Sequence, residues 1–504
     1  MRSPRLRPKA GCAAWILVAT TGSLLTAQQA PTTPTDVLLI QDVTLLSPER
    51  AEPLERADVL VLDGRIVAVD VELAAPEGAR VEPAPGRFLV PGLIDSHVHV
   101  GHPILLDDEA IDQHPELYAA YREQLPRSFL HFGFTSVIDL DLRPEAGRSF
   151  LSAPHHPRLF HAGRGIRIAG GYGPALFPGV PVQQMFPSLV FEPQQAERWP
   201  KALDPLRYTP ELAVRRVVES GAVCVKSYVE PGFGGAFDWP VPSLATLRAL
   251  KAAASKSGLP FVVHATDTTG WRRALDAGAD VLAHGLWHWP GDPRSAEPSA
   301  EVLALIAEAG RRGVAVQPTL RVIHGERETY TWERLEDPRM ARALPPELLA
   351  WARTEPGRRS QRELQALGAR LGSEVPVEER LAVMNQRVIR TLQALRSAGA
   401  PLLLGSDSPA GEGLGHPPGL NGLLELELWA AAGVPLDVLF RAATLANARA
   451  FGLEGELGSI EVGKRADLLL LAANPLEDVH AWDTIEVVIA AGEWLPRDSL
   501  SARR

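Results

Sequence analysis

Residues 88–100 of the chain read FLVPGLIDSHVHV, an apolar run that breaks at Pro91-Gly92 and ends in two histidines. Side chains alternate across a β-strand, so His97 and His99 point to the same side and can hold one cation together. Neutral imidazole is a common ligand of zinc-like metals, and Asp95 or backbone groups could orient the two rings. Histidines at this spacing also occur on ordinary strands, so a metal site depends on what the rest of the chain places beside them.

Later apolar runs of the chain also end in polar residues that can bind a metal, namely Lys226, His264, His284 and Asp407. Each has an ordinary alternative, because the histidines could be hydrogen-bonded core residues and the aspartate could cap a helix or a turn. The lysine is the most informative, since a lysine on a buried strand is costly unless its charge is removed or paired. Its partner in an ordinary salt bridge would be Glu230 or Asp139. The recurrence of such residues at the ends of successive strands predicts a metal site.

Strands and helices alternate between residues 91 and 454, which favours parallel β/α units. Eight strand candidates in this region fit a (β/α)8 TIM barrel, with an open doubly wound sheet as the alternative. In such barrels the active site lies at the C-terminal ends of the strands, where these polar residues are predicted. Residues 321–379 are charged and helix-prone, and we expect a helical insertion that could act as a lid.

Both flanks of this region are rich in short β segments. Residues 36–90 contain Asp63-Gly64 between two apolar runs, which is a strong hairpin signal, and residues 455–500 supply similar segments. Neither flank is long enough for a large core of its own. We therefore predict an α/β protein in which a small composite β-sandwich domain, built from both chain ends, stands beside the barrel.

The N-terminus has the pattern of an export signal. An apolar stretch from Ala10 to Ala27 follows four basic residues, Arg2, Arg5, Arg7 and Lys9. We expect residues 1–27 to be a cleaved signal peptide, which predicts a periplasmic or extracellular protein without a stable membrane span; an uncleaved anchor helix is the alternative. Cys224 would then be the only mature cysteine, which excludes an internal disulfide.

The net charge of the 504-residue chain limits the kinds of partner that it is expected to bind. The formal net charge is −10 at pH 7, which argues against a nucleic-acid partner bound through phosphate neutralisation. A small-molecule substrate is compatible with this charge.

Several stretches of the chain together resemble the amidohydrolase superfamily, nearest to its imidazolonepropionase-like and prolidase-like branch. They are PGLIDSHVH, GFTSVIDL, VKSY, VVHA, AHG and GSD, followed by RAATLANARAFGL and GSIEVGKRADLLLL. The resemblance implies a metal-bearing (β/α)8 barrel beside a composite β-sandwich. The resemblance leaves the oligomeric state open, although such relatives often assemble and a homo-oligomer is compatible with it.

The resemblance implies a ligand set for two divalent metals. His97 and His99 would bind one metal, and His264 and His284 the second. Lys226 would be carboxylated by carbon dioxide and bridge both metals as a carbamate, whose negative charge two cations stabilise. Two zinc ions are the expectation, although such ligands also accept manganese, iron or cobalt.

The resemblance further implies how these residues would act on a substrate. Asp407 would bind the first metal, take a proton from the attacking water and deliver it to the departing nitrogen. One metal, with His284 or Tyr228 nearby, would polarise the scissile carbonyl. Tyr228 lies two residues after the lysine and should face the same way, although it could instead be a tyrosine that caps the barrel rim. These roles predict a metal-dependent hydrolase that uses a metal-activated hydroxide to cleave an amide-type C–N bond in a dipeptide or an N-acyl amino acid.

The sequence departs from its relatives at two places that bear on the substrate and on the type of reaction. SYVEPGFGG follows the strand-four lysine where prolidase-like relatives are rich in methionine and alanine, which predicts a different substrate loop. Asp267 stands where deaminase relatives tend to have a glutamate, which favours a binuclear hydrolase. The alternatives are a cyclic-amide hydrolase of the imidazolonepropionase or hydantoinase type and a non-catalytic barrel that binds a ligand.

Overall fold

The computed structural model describes residues 37–176, 182–370 and 375–503. The predicted signal peptide, residues 1–27, lies outside the described residues. Among the helices in the described ranges, none has both the length and the apolar character that crossing a membrane requires.

Strands from both flanks of the chain form one mixed sheet. The first flank supplies β1 (Val37–Leu45), β2 (Leu54–Leu62), β3 (Arg65–Val71), β4 (Arg80–Pro83) and β5 (Phe88–Pro91), and the last flank supplies β15 (Leu468–Leu471), β16 (Ile485–Ala490) and β17 (Glu493–Pro496). The strand order is β17-β16-β15-β5-β1-β2-β3, with β4 paired to β1. The two flanks meet at β5, which runs parallel to β1 and antiparallel to β15. The predicted hairpin joins β2 to β3, and both Asp63 and Gly64 in its turn have positive φ.

The middle of the chain forms a ring of parallel strands. Its strands are β6 (Leu93–Val98), β7 (Phe134–Asp139), β8 (Arg158–His161), β11 (Val225–Tyr228), β12 (Phe261–His264), β13 (Val281–Ala283) and β14 (Ala315–Gln317), while β9 (Arg167–Ile168) and β10 (Leu189–Val190) pair separately. A hydrogen bond of 2.8 Å from the Ile166 amide to the Lys226 carbonyl joins the β6–β8 group to the β11–β14 group. The ring is closed, as the TIM barrel prediction requires, and is not an open sheet.

The eighth position of the barrel is taken by residues 401–408, which form isolated bridges rather than a continuous strand. Leu402 bridges Val316 in β14, and Ser408 bridges Val98 in β6. The backbone amides between these bridges alternate in their partners. Leu403 and Asp407 donate to Val316 in β14 and His97 in β6, whereas Leu404 donates to a helix carbonyl and Ser406 to the carboxylate of Asp95. The predicted eighth strand therefore closes the barrel without regular strand pairing.

Helices surround the barrel and form the predicted insertion. They are α1 (Asp108–Gln113), α2 (Pro115–His131), α3 (Pro144–Leu151), α4 (Val182–Met185), α5 (Pro210–Glu219), α6 (Leu244–Lys256), α7 (Thr268–Ala277), α8 (Ala300–Arg312), α9 (Leu320–Thr331), α10 (Met340–Ala343), α11 (Pro346–Trp351), α12 (Arg359–Arg370), α13 (Val377–Ser397), α14 (Leu420–Ala431), α15 (Leu436–Ala442), α16 (Leu445–Ala450) and α17 (Arg497–Leu500). Helices α5 to α8 each begin at a side-chain cap, supplied by Thr209, Ser243, Asp267 and Ser299. Such caps satisfy free amides and fix where each helix begins.

Helix α14 packs so closely on β7 that one of its positions requires glycine. A Cβ atom at Gly422 would lie 2.3 Å from Cζ of Phe134, whose side chain is fully buried. We expect Gly422→Ala to lower the free energy of unfolding by about 1–3 kcal/mol through overpacking. The urea midpoint measures this loss. Gly455→Ala is the matched control, because a Cβ there meets no atom within 4 Å; equal midpoints for the two variants would contradict the prediction.

Candidate metal centre

The structure brings the seven predicted site residues to the same end of the barrel. His97 and His99 lie at the end of β6, Lys226 and Tyr228 on β11, and His264 at the end of β12; His284 follows β13 and Asp407 lies in the closing segment. His284 and Asp407 have φ values of 82° and 54°. Such conformations are strained for non-glycine residues and cluster at functional sites.

Both histidines of β6 approach the same carboxylate oxygen. Oδ1 of Asp407 lies 3.3 Å from Nε2 of His97 and 2.9 Å from Nε2 of His99. Ligand atoms of these three residues lie within 4.8 Å of one another. Gly405 leaves the space this requires, since a Cβ there would lie 2.8 Å from Cβ of His97. The three side chains are therefore close enough to bind a single cation.

The electrostatics of this cluster suit a divalent cation. Burial lowers the pKa of His97 well below its usual value, so the ring is neutral and has a free electron pair for a metal. Burial favours the neutral acid at Asp407, but electrostatic interactions with His97, His99 and His284 and the hydrogen bond from His99 outweigh it and hold the pKa of the carboxyl well below its usual range. A neutral imidazole beside a carboxylate is a typical ligand set for first-row transition metals.

Lys226 is buried beside this cluster. Within the described residues, its Nζ atom has no hydrogen-bond partner and no ion pair. Burial lowers the pKa of the amine to about 7. The salt bridges considered as the alternative are not formed, because Glu230 faces His264 and Asp139 accepts backbone amides. An unpartnered amine with this pKa is partly neutral near pH 7, and the neutral amine is the form that can react with carbon dioxide.

The other two histidines are oriented by residues on neighbouring strands. The rings of His264 and His284 lie 4.5 Å apart between centroids. Nε2 of His264 is 3.4 Å from Oε2 of Glu230, and Nδ1 of His284 is 2.8 Å from Oγ1 of Thr319. Since each contact occupies one ring nitrogen, Nδ1 of His264 and Nε2 of His284 remain for a metal. These donors fit a second divalent cation.

Tyr228 lies beside the lysine as a neutral phenol. Its ring centroid is 5.5 Å from Nζ of Lys226 and 3.9 Å from the guanidinium carbon of Arg167, which pairs with Asp141. Burial raises the pKa of the tyrosine well above its usual value, so the hydroxyl keeps its proton. No hydrogen-bond partner of this hydroxyl lies among the described residues. The tyrosine can therefore donate a hydrogen bond to a bound substrate.

Some residues have other contacts than the sequence suggested. Asp95 does not orient the metal-facing rings, because its carboxylate accepts from the amides of His97 and Ser406 and from the Ser406 hydroxyl. It ties the backbone of β6 to the closing segment. Asp267 caps α7 by accepting from the amide of Gly270 at 2.7 Å.

Sequence reasoning missed three functional candidates around the histidines. Thr319 orients His284, Glu230 orients His264 rather than pairing with the lysine, and Tyr172 stacks on His264 with ring centroids 4.8 Å apart. Thr319 follows β14 by two residues, and this place after a barrel strand could have identified it as a site residue. Tyr172 lies outside the regular barrel strands, and no local pattern places it at the site.

A closed barrel with histidines, a lysine and an aspartate at the C-terminal ends of its strands is the arrangement expected of a metal-dependent hydrolase. A sequence model described as the amidohydrolase family matches residues 88–495. The chain belongs to the amidohydrolase family. The resemblance inferred from the motifs is confirmed, as is the TIM barrel with an additional β-rich domain.

Similar proteins include hydrolases of several kinds. A crystal structure of a prolidase complexed with N-methylphosphonate-L-proline superposes with a TM-score of 0.66 at 22% identity, covering 92% of this chain and 100% of that chain. An L-hydantoinase of Paenarthrobacter aurescens is 32% identical over 63 residues, and an imidazolonepropionase of Klebsiella pneumoniae is 45% identical over 58 residues. These stretches cover 12% and 11% of this chain, and 13% and 14% of the two relatives' lengths.

The Thr319 contact gives a prediction about metal affinity. We expect Thr319→Val, which keeps the side-chain shape but removes the oxygen beside His284, to weaken metal binding roughly 10–100-fold because the ring loses its orienting partner. Competition with a chelator measures the affinity. Thr444→Val is the matched control, since its buried hydroxyl donates to the Phe440 carbonyl in a helix. A chelator curve for Thr319→Val that overlays that of the control would contradict the prediction.

Proposed function

We propose that the protein is a metal-dependent hydrolase that cleaves an amide-type C–N bond in a small substrate, namely a dipeptide or an N-acyl amino acid. The observation that carries this proposal is the approach of His97 and His99 to one oxygen of Asp407, beside the buried and unpartnered Lys226. Membership of the amidohydrolase family supports the reaction class. A prolidase among the similar structures supports a dipeptide-like substrate.

The ligand assignment follows from the available donor atoms. His97, His99 and Asp407 would hold one cation, and His264 and His284 the other. Lys226 would bridge them after its neutral amine adds to carbon dioxide, forming an N–C bond and releasing one proton. When bound, two divalent cations supply a water of lowered pKa and a Lewis acid for the substrate carbonyl. Zinc is the proposed metal, with manganese, iron and cobalt as alternatives.

The chain's own residues would handle the proton and the substrate oxygen. Asp407 is ionised, so its carboxylate can accept a proton from the attacking water and return it to the departing nitrogen. Tyr228 keeps its proton and can donate a hydrogen bond to the oxygen on which negative charge develops. His284 lies next to the carboxylate of Asp407, with Nδ1 at 3.9 Å from Oδ2. It is the second candidate for polarising the scissile carbonyl of the substrate.

Metal content and hydrolysis, measured together, test this proposal. We expect the purified protein to contain about two transition-metal ions per chain and to hydrolyse members of a dipeptide and N-acyl amino acid panel. Lys226→Ala should lose the second metal and most of the activity, because the bridging group is removed. Lys251→Ala is the matched control, since this lysine on α6 pairs with Asp280, which directly precedes β13.

The outcomes separate the rival functions. Two metals without turnover on this panel would leave the dimetal site and reject the dipeptide and N-acyl substrates. A stable protein that takes up no metal from supplemented buffer would reject the enzyme and favour a barrel that only binds a ligand. Full activity and two metals in the Lys226→Ala variant would contradict the bridging role.

A cyclic amide is the second candidate substrate. The hydantoinase and imidazolonepropionase matches favour it. Adding hydantoins and lactams to the same panel distinguishes the two candidates, because a ring-opening enzyme would turn over the cyclic compounds in preference to their linear counterparts.

We also propose that the protein is exported. The basic residues before the apolar stretch from Ala10 to Ala27 support this location. Mass spectrometry of the protein from the periplasmic or extracellular fraction should find an N-terminus at Gln28. A variant without residues 1–27 should stay in the cytoplasm, and export of that variant would contradict the role of this segment.

A further inference from the structure

A pocket opens at the catalytic end of the barrel, beside the candidate metal centre. It has a volume of about 410 Å³, within the range typical of small-molecule sites. Loops that follow β11, β12 and β13 form three of its sides, and the insertion helix α13 forms the fourth. We call this cavity the rim pocket.

Glu230 fixes the rim pocket relative to the metal centre. Its Oε1 atom accepts hydrogen bonds from the amides of Gly232 and Phe233, at 2.8 and 2.5 Å. Its Oε2 atom faces Nε2 of His264. Tyr172 adds a second link, because its ring contacts both Phe233, at 5.7 Å between centroids, and His264, at 4.8 Å. Phe233 lines the pocket, so a molecule held there has a defined distance to the metal ligands.

Three of the four sides of the rim pocket contribute apolar side chains. Phe233 comes from the loop after β11, Trp289 from the loop after β13, and Val383 and Met384 from α13. Side chains of this kind bury an aromatic ring or a long aliphatic group. The pocket therefore suits an apolar substituent of a few carbon atoms or a single ring.

The rim pocket also presents one guanidinium group that other residues leave free. Arg387 lies 4.2 Å from the Trp289 ring and donates to the carbonyls of Ser295 and Asp292. Arg380 differs: in the described part of the chain its guanidinium has no hydrogen-bond or ion-pair partner.

Two acids of this region, Asp267 and Glu326, form no ion pair with Arg380 in the described part of the chain. Asp267, which lines the pocket, is bound to the start of α7. Burial raises the pKa of Glu326 to about 7, although Arg380 opposes this rise. A free guanidinium beside apolar walls is a binding site for a carboxylate next to an apolar side chain.

We propose that the rim pocket binds the carboxyl-terminal part of the substrate, with Arg380 binding its carboxylate and the apolar walls holding its side chain. This inference rests on the proposed amide hydrolysis and narrows its substrate class. The substrates are N-acyl amino acids and dipeptides whose terminal residue is aromatic or long and aliphatic, with a free α-carboxylate.

A pair of amides that differ only in the carboxylate tests the specificity. N-acetyl-L-phenylalanine carries it, and N-acetylphenethylamine lacks it. We expect Arg380→Ala to raise KM for the first compound about 10-fold while kcat changes little, because a charge-assisted contact outside the reacting bond is lost. Its KM for the second compound should not change. Arg380→Lys should recover part of the loss, since the charge remains but the planar fork does not.

The matched control is Arg390→Ala on the same helix, because that exposed arginine pairs with Glu297 and does not line the pocket. Binding of 3-phenylpropionate and of neutral 3-phenylpropanamide to the metal-loaded protein, followed by tryptophan fluorescence, gives a readout that needs no turnover. We expect Arg380→Ala, and not Arg390→Ala, to weaken binding of the carboxylate alone.

The two proposals fail in different ways. Equal binding of 3-phenylpropionate by the Arg380→Ala and Arg390→Ala variants would overturn the rim-pocket assignment, even if amides are hydrolysed. Selective loss of carboxylate binding in Arg380→Ala, together with no hydrolysis of any amide by the wild-type protein, would support the pocket and overturn the proposed reaction.

Discussion

The burial of a lysine amine at the centre of the barrel is the constraint on which the site depends. Taking a charged amine out of water is costly, and among the described residues Lys226 has no carboxylate in contact to offset this cost. The histidines around it are themselves buried, and burial lowers the pKa values of His97 and His284 well below the usual value. The interior can hold this set of donors because burial keeps His97 and His284 neutral, while the ionised Asp407 lies among the histidines.

Side-chain hydrogen bonds help to close the barrel between β14, the closing segment 401–408 and β6. Gln317 donates to the carbonyl of Ser96, and the Ser96 hydroxyl donates to the carbonyl of Leu404. Asn447 donates to the same Leu404 carbonyl and to that of Ile94. Residues 401–408 also make backbone hydrogen bonds to β14 and β6, but they pair through isolated bridges and not through a continuous ladder. This irregular pairing accommodates the positive φ of Asp407, whose carboxylate lies between His97 and His99.

The sequence alone predicts the parts of this arrangement that depend on local pattern. His97 and His99 are readable from the two-residue period of a strand, and Lys226 from its place in an apolar run. The barrel follows from the alternation of strands and helices. Tyr172 and Arg380 lie outside the regular barrel strands, so neither period nor composition brings them to the site. The place of Thr319 after β14 could be predicted, but its contact with His284 could not. Glu230 was readable as a partner, but its choice of His264 over the lysine depends on which side chains the folded strands bring together.

The sheet that joins both flanks of the chain cannot be completed until the C-terminal strands have been synthesised. β5 is hydrogen-bonded to β15, so one edge of β5 has no partner until β15 has left the ribosome. An exposed strand edge is a template for pairing with another chain, and partly folded intermediates of large proteins aggregate through such edges. A polypeptide terminated within the barrel would therefore retain this unpaired, aggregation-prone edge.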